Sequence, residues 1–275
     1  MSRSGTSISP EGLALLQKEI YRDSGIVLDD SKQYLIESRL ASVLEQHRLT
    51  HLDDLCAMLC MTGGISLRQE IVEAMTTNET LFFRDEQAFT ALQRHVLPEL
   101  VHARREVRKL NIWSAASSTG QEAYSVAMML NEMNLAGWTY RILATDINSQ
   151  VIDRARKGRY RKIEVSRGLP AEYLDKYFDQ HEMEWQISDR IRSMVEFAQF
   201  DLRRSMKSFG SFDLVLCRNV LIYFDVETKK NILKEIRDCL SEQGFLLLGC
   251  AESILNLDIE FEKRLFDQAT FYQVL

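Results

Sequence analysis

The feature that most constrains this chain begins near residue 109, where short continuous apolar runs alternate with amphipathic helical stretches. Residues 109–114 (KLNIWS) read as a strand and 120–132 as a helix. Residues 140–146 (YRILATD) read as a second strand, with a helix over 149–157. FDLVLC (212–217) and GFLLLG (244–249) are further strands, with a helix from about 227 to 240 between them. Strands that are apolar throughout and alternate with helices belong to a mostly parallel sheet covered on both faces. The expected fold class is therefore α/β, with a doubly wound sheet. Between 158 and 199 the alternation lapses, and residues 183–188 (MEWQIS) and 194–200 (MVEFAQF) read as paired strands. This segment is expected to be a small antiparallel β insertion.

Upstream, the pattern is helical. Ser9 before Pro10 is a helix-start signal, a cap followed by proline in the first turn. Leu13, Leu16 and Ile20 follow at helical spacing, and Ser31 is placed to cap a second helix with Ile36, Leu40, Val43 and Leu44 on its apolar face. Residues 52–60 and 65–75 give two more amphipathic stretches, separated at Gly63 and Gly64. The expected division is a small helical domain over 1–75 and an α/β domain over 76–275, with the insertion at about 158–199.

Composition narrows the class. The chain is 45% hydrophobic and 27% charged, which suits a globular protein. Its longest apolar stretch, 244–251, falls far short of the ~20 residues that cross a bilayer, so no membrane insertion is expected. No apolar run opens the chain, so no secretory signal is expected. A net charge of −6 gives no reason to expect nucleic acid. Five cysteines without a secretion signal point to free thiols in a reducing compartment. Cys56 and Cys60 lie one helical turn apart with no histidine beside them; they read as buried small apolar groups, and no metal is expected.

In an open parallel sheet, ligands sit beyond the carboxyl ends of the strands, where strand order reverses. The first such loop, AASSTGQE (115–122), is rich in small residues and opens a helix at Gly120. Small side chains admit a ligand to the backbone, and a helix N-terminus offers free N–H groups. The loop lacks the GxGxxG pattern, and an ordinary cap at Thr119 with a helix-dipole role for Glu122 fits it equally. Asp146 ends the next strand, where a carboxylate suits ribose hydroxyls or, alternatively, caps the following helix. Asp201 and Asn219 fall at the ends of later strands, positions that point into the same crevice; each singly could equally be a cap. In the linker TTNETLFFRD (76–85), Thr76 and Glu79 could form a capping box, and Phe82 and Phe83 could be core. Arg84 with Glu122 would suit the carboxylate and ammonium of a ligand with an amino-acid tail.

Together these residues resemble the chemotaxis receptor methyltransferase family (CheR), S-adenosylmethionine-dependent protein-glutamate O-methyltransferases. The stretches that carry the resemblance are TTNETLFFR, WSAASSTGQEAYS, LATDIN, FDLVLCRNVLIYFD and AESILNL, in that order. The resemblance implies a helical N-terminal domain, a Rossmann-like methyltransferase domain and an inserted antiparallel subdomain. It implies that Asn78, Thr80 and Arg84 contact the cofactor from the linker, Glu122 its amino-acid moiety and Asp146 its ribose. Asp201 and Leu202 would border the adenine, and Arg218 and Asn219 would close the pocket. Arg84 and Tyr223 would lie near the transferred methyl as the catalytic pair. The product would be S-adenosylhomocysteine. The partner would be the cytoplasmic helical bundle of chemoreceptors, with a regulatory adaptor protein a further candidate. The enzyme would be cytoplasmic and recruited to membrane-associated receptor arrays. No oligomerisation signal is visible, so a monomer is expected.

Two departures from the family pattern stand out. The second helix, SKQYLIESRLASVLEQHR, carries Lys32, Arg39 and Arg48 but is interrupted by Glu37 and Glu45, so its receptor-facing side is less basic than in the family. For Arg39 a solvated helix face and a receptor contact stay equally open. The stretch YFDQHEMEWQIS (177–188) is short and lacks the glycine with which some members build a loop for a receptor's C-terminal peptide tether. Independence of the tether is expected. A nucleic-acid amino-methyltransferase would carry an Asn/Asp-Pro-Pro-aromatic loop where this chain has Arg218-Asn219-Val220. A cofactor-sensing adaptor would not need Tyr223.

Overall fold

The structure, a computed structural model, describes residues 8–62 and 64–274. Gly63, half of the expected glycine break, lies outside them. Two compact units are present. One comprises the described residues up to Thr77 with Tyr223–Asp225; the other comprises Asn78–Ile222 and the residues from Val226 onward.

The first unit is helical. Helix α1 (Pro10–Ser24) is capped by Ser9, whose hydroxyl accepts from the Gly12 amide. A 3-10 turn (Asp30–Lys32) precedes α2 (Gln33–His47). The cap there is Asp29, which accepts from the Ser31 amide at 3.0 Å, so Ser31 is inside the turn and does not cap α2 as expected. Helices α3 (Leu52–Thr62) and α4 (Ile65–Met75) complete the unit. Leu16, Ile20, Ile36, Leu40, Leu52 and Leu55 form its fully buried centre. Thr76 closes α4 by donating to the Glu73 carbonyl at 2.7 Å, so Thr76 and Glu79 form no capping box. Cys56 is buried, and burial pushes its thiol up to about 11; Cys60 is exposed, against expectation. Arg39 donates to the Met75 carbonyl and to Thr77 Oγ1, which answers its open assignment with an internal partner.

The second unit opens with α5 (Glu86–Ala91) and α6 (Leu97–Ala103), joined by a π-helical turn over Leu92–Val96. Then come β1 (Lys109–Ala115), α7 (Gln121–Glu132), β2 (Thr139–Asp146) and α8 (Ser149–Lys157). The insertion holds β3 (Arg159–Arg161), α9 (Lys162–Val165), α10 (Ala171–Tyr177), β4 (Phe178–His181), β5 (Glu184–Ile187) and α11 (Asp189–Arg192). The chain continues with β6 (Val195–Gln199), β7 (Phe212–Cys217), α12 (Val226–Cys239), β8 (Leu240–Leu248), β9 (Glu262–Phe266) and β10 (Ala269–Gln273).

The main sheet has the order β6-β2-β1-β7-β8-β10-β9. Its first five strands are parallel, and β10 runs antiparallel to both β8 and β9. The expected α/β class thus holds, with an antiparallel edge hairpin added. One strand pairing is corrected. Strand β6 pairs with β2 in the main sheet, whereas β5 pairs with β3 and β4 in a separate three-stranded antiparallel sheet. The antiparallel part of the insertion therefore ends with β5. An apolar run such as VEFAQ suits either sheet, because its periodicity does not specify its neighbour.

Trp113, Tyr124, Phe212, Phe245 and Phe271 are fully buried around the main sheet. The insertion is seated on this core through Tyr160, which meets Phe82 edge-on at 5.0 Å and donates its hydroxyl to the Thr119 carbonyl at 2.8 Å. Gly168 adjoins the linker so closely that a Cβ there would lie 2.1 Å from the Phe82 carbonyl oxygen, and its φ of +80° is one that other residues rarely adopt.

Candidate active site

Strand order reverses between β1 and β7, so a crevice forms at their carboxyl ends. The loop leaving β1 is held in an unusual shape: Ala116, Ser118 and Gly120 all have positive φ, at 59°, 50° and 91°. Gly120 also allows close packing, since a Cβ would lie 3.0 Å from both Ala155 and Phe197. No side chain caps α7; the Thr119 hydroxyl donates to Gln121 Oε1 instead, so the alternative reading of Thr119 as an ordinary cap does not hold. The first-turn amides of α7 thus have no side-chain acceptor.

Asp146 is 8% exposed and orders the loop from the neighbouring strand. Its Oδ2 accepts from the Ser118 amide at 2.9 Å and its Oδ1 from the Asn148 amide at 3.0 Å. Asn148, not Asp146, caps α8, accepting from the amides of Gln150 and Val151. Burial pushes the Asp146 carboxyl above its ordinary value, and the backbone bonds pull it back.

Glu122 and Arg218 meet across the switch point. Glu122 Oε1 accepts from the Ser114 hydroxyl at 2.8 Å, and its Oε2 accepts from Arg218 Nη1 at 2.9 Å. The Arg218 side chain is 2% exposed. Its Nη2 donates to Asp85 Oδ2 at 2.6 Å and to the Arg84 carbonyl at 2.8 Å, and its guanidinium lies over the Phe89 ring. Asp85 carries no local signal in the sequence, because its partner Arg218 lies 133 residues away.

The other expected residues are placed as follows. The Asn78 carbonyl accepts from the Ser118 hydroxyl at 2.8 Å, which brings the linker to the β1 loop. Thr80 is half-buried in the same linker. The Arg84 guanidinium donates to the Glu79 carbonyl at 3.1 Å and is not bonded to Glu122. Asp201 accepts from the Arg203 amide and guanidinium, and Leu202 beside it is buried. Asn219 follows Arg218 with a φ of 58°. Tyr223 belongs to the helical unit, where its carbonyl accepts from the Val27 amide at 2.9 Å.

Two buried polar atoms at these strand ends, Ser117 Oγ and Arg218 Nε, have no partner among the described residues. Buried polar groups are ordinarily hydrogen-bonded, so this crevice suits a polar ligand. The uncapped helix, the acid ending β2 and the buried Glu122–Arg218 pair, all at the strand ends, place the chain in the doubly wound α/β class whose ligand crevice lies at the topological switch point.

Residues 78–269 match the model described as CheR methyltransferase, SAM binding domain, and residues 11–76 match CheR methyltransferase, all-alpha domain. The chain belongs to the CheR methyltransferase family, and its cofactor is S-adenosylmethionine. It is similar to chemotaxis protein methyltransferase 1 of Pseudomonas aeruginosa, 42% identical over 244 residues, covering 86% of this chain and 88% of that protein. It is 38% identical over 255 residues to chemotaxis protein methyltransferase Cher2 of Pseudomonas putida, covering 90% and 92%. With the chemotaxis protein methyltransferase of Salmonella typhimurium it shares 34% identity over 251 residues, covering 89% and 84%. No helix among the described residues is long and apolar enough to cross a membrane.

Proposed function

We propose that this enzyme transfers the methyl group of S-adenosylmethionine to glutamate side chains on the cytoplasmic helical bundle of chemoreceptors, forming methyl esters for sensory adaptation. It would act as a cytoplasmic monomer at receptor arrays. The observation that carries this reading is that the carboxylates at the described strand ends are all engaged: Glu122 and Asp85 by Arg218, Asp201 by Arg203, and Asp146 by the amides of Ser118 and Asn148. The five histidines (47, 51, 95, 102 and 181) lie outside the loops at 116–120, 146–148, 200–203 and 218–222. An amine acceptor, with a reference pKa of about 10.4, would need deprotonation, whereas a glutamate at about 4.3 is already a nucleophile. The relatives are named chemotaxis protein methyltransferases, which agrees with an acceptor in the chemotaxis system.

The cofactor supplies a methyl on a sulfonium centre, which leaves as a neutral thioether. The chain's residues then have to position and desolvate rather than move a proton. Glu122 and Asp146 would hold the amino-acid and ribose ends, with Asn78, Thr80 and Arg84 on the linker side. Asp201, Leu202, Arg218 and Asn219 would form the remaining walls. Arg84 would hold the cofactor, because gripping the attacking carboxylate would stabilise the ground state without raising kcat. Tyr223 would orient the acceptor oxygen. Incubation with labelled cofactor and a receptor panel, followed by base-labile methanol release, tests the function; stable amine methylation or no transfer would refute it. In the same assay, Arg84→Ala should weaken cofactor binding about tenfold, the loss of one charge-assisted contact. Tyr223→Phe should lower turnover about tenfold with binding nearly intact. Unchanged cofactor affinity in the first variant would sink that assignment.

The insertion supports tether independence. Strands β4 and β5 are joined by only two residues, Glu182 and Met183, and Glu182 supplies the left-handed conformation (φ 54°) where glycine is usual. Such a tight link leaves no extension to cradle an added strand. Isothermal titration of the full chain with receptor C-terminal pentapeptides should give a Kd weaker than about 1 mM; micromolar binding would overturn this.

A further inference from the structure

Of the stretches that carry the resemblance, AESILNL supplies none of the cofactor contacts proposed above. Its Glu252 makes a different set of bonds. Oε2 accepts from the amides of Asn219 at 2.7 Å and Gly249 at 2.8 Å. Oε1 accepts from the amides of Val220 at 2.9 Å and Leu221 at 2.7 Å. One carboxylate thus collects four backbone N–H groups, three of them consecutive in the loop that leaves β7. Converging N–H dipoles repel one another, and an anion at their focus offsets this. The left-handed Asn219 contributes to that convergence. Gly249 leaves the room: a Cβ there would lie 2.7 Å from Glu252 Oε2 and 2.9 Å from the Asn219 nitrogen.

The loop therefore has two separate anchors. Arg218 is tied through its side chain to Glu122, Asp85 and the Arg84 carbonyl. Residues 219–221 are tied through their backbone to Glu252 alone among the side-chain bonds described. We propose that Glu252 is a positioning residue for methyl transfer. It holds the backbone of 219–221 and keeps Asn219, a proposed wall of the cofactor site, in its left-handed conformation. This role rests on the reading that the enzyme methylates receptor glutamates.

The test is Glu252→Gln, whose amide nitrogen would face backbone donors with another donor. With the Arg218 anchor intact, affinity for S-adenosylhomocysteine should stay within about threefold. Turnover should fall about tenfold or more, since small displacements near the reacting groups are costly. Glu252→Asp keeps the charge on a shorter arm and should recover part of the loss. Gly249→Ala crowds the same bonds with the charge retained and should reproduce the fall in kcat; it also serves if the glutamine variant does not fold. Hydrogen exchange at the amides of 219–221 should accelerate about tenfold in Glu252→Gln. Turnover within twofold of wild type in both Glu252→Gln and Gly249→Ala would overturn the proposal. So would a parallel fall of kcat and cofactor affinity, which marks a general structural role, or unchanged exchange at 219–221. If the wild-type protein forms no methyl ester on any receptor, the functional reading fails, and the exchange measurement still decides whether Glu252 holds the loop.

Discussion

Replacing Arg218 with alanine should lower the unfolding free energy by about 3–5 kcal/mol, the range expected when one partner of a buried ion pair is removed. The reason is the state of what remains. Glu122 has a side chain only 12% exposed and would keep a single neutral donor, Ser114. Asp85, at 34%, can rehydrate and contributes less. Phe89 would also lose the guanidinium over its ring. Urea unfolding monitored by tryptophan fluorescence measures the loss, and a change below about 1 kcal/mol would show that the pair is not load-sharing in the folded state. A second arm sharpens the test. Combining Arg218→Met with Glu122→Gln removes both charges and should restore more than half of the lost stability, because the penalty is the stranded charge rather than the missing bond.

Asp146→Ala should show the opposite profile, a large loss of binding with little change in stability. A carboxylate accepting from two ribose hydroxyls makes charge-assisted bonds of about 1.5–3 kcal/mol each. Loss of about 3 kcal/mol in all corresponds to roughly a hundredfold weaker affinity for S-adenosylhomocysteine. The fold should tolerate the change because two effects oppose each other. The amides of Ser118 and Asn148 lose their acceptor, but a buried anion is also removed. Burial raises the carboxyl of Asp146 above 3.8 in the folded state. A raised value means that the folded protein binds the proton more tightly than the unfolded chain does. The ionised group therefore disfavours folding at neutral pH, and the penalty is relieved as pH falls through the raised value toward 3.8. Wild type should gain stability relative to Asp146→Ala over that interval. Calorimetric titration, and thermal melts from pH 7 down to 3.8, check both arms. Cofactor affinity within about threefold of wild type would remove Asp146 from the ribose site.

The parts of the fold visible in the sequence were those with strong local signals. The buried strands β1, β2, β7 and β8 announce themselves as apolar runs, and Asp146 stands out as the acid that ends one. What was hidden depends on distance along the chain. Strand β6 reads as a strand, but its partner β2 is fixed by tertiary packing. Strand β9 (EKRLF) is a charged, half-exposed edge with no apolar alternation to reveal it. Ser31 looked like a cap because serine suits that position, yet Asp29, two residues earlier, accepts the bond. At the site, Glu122 and Arg218 each stand at a strand end that the sequence reveals, but their mutual pairing spans 96 residues. Asp85 and Glu252 act on groups 133 and more than 30 residues away, which no spacing rule reaches.

The seating of the inserted sheet has a mechanical consequence. At Gly168 there is no space for even a methyl group against the Phe82 carbonyl, and Tyr160 is bolted to the loop before α7. A side chain introduced at Gly168 would have to push the inserted segment away from the linker, and the Tyr160 bond would pull on the loop before α7 as it moved.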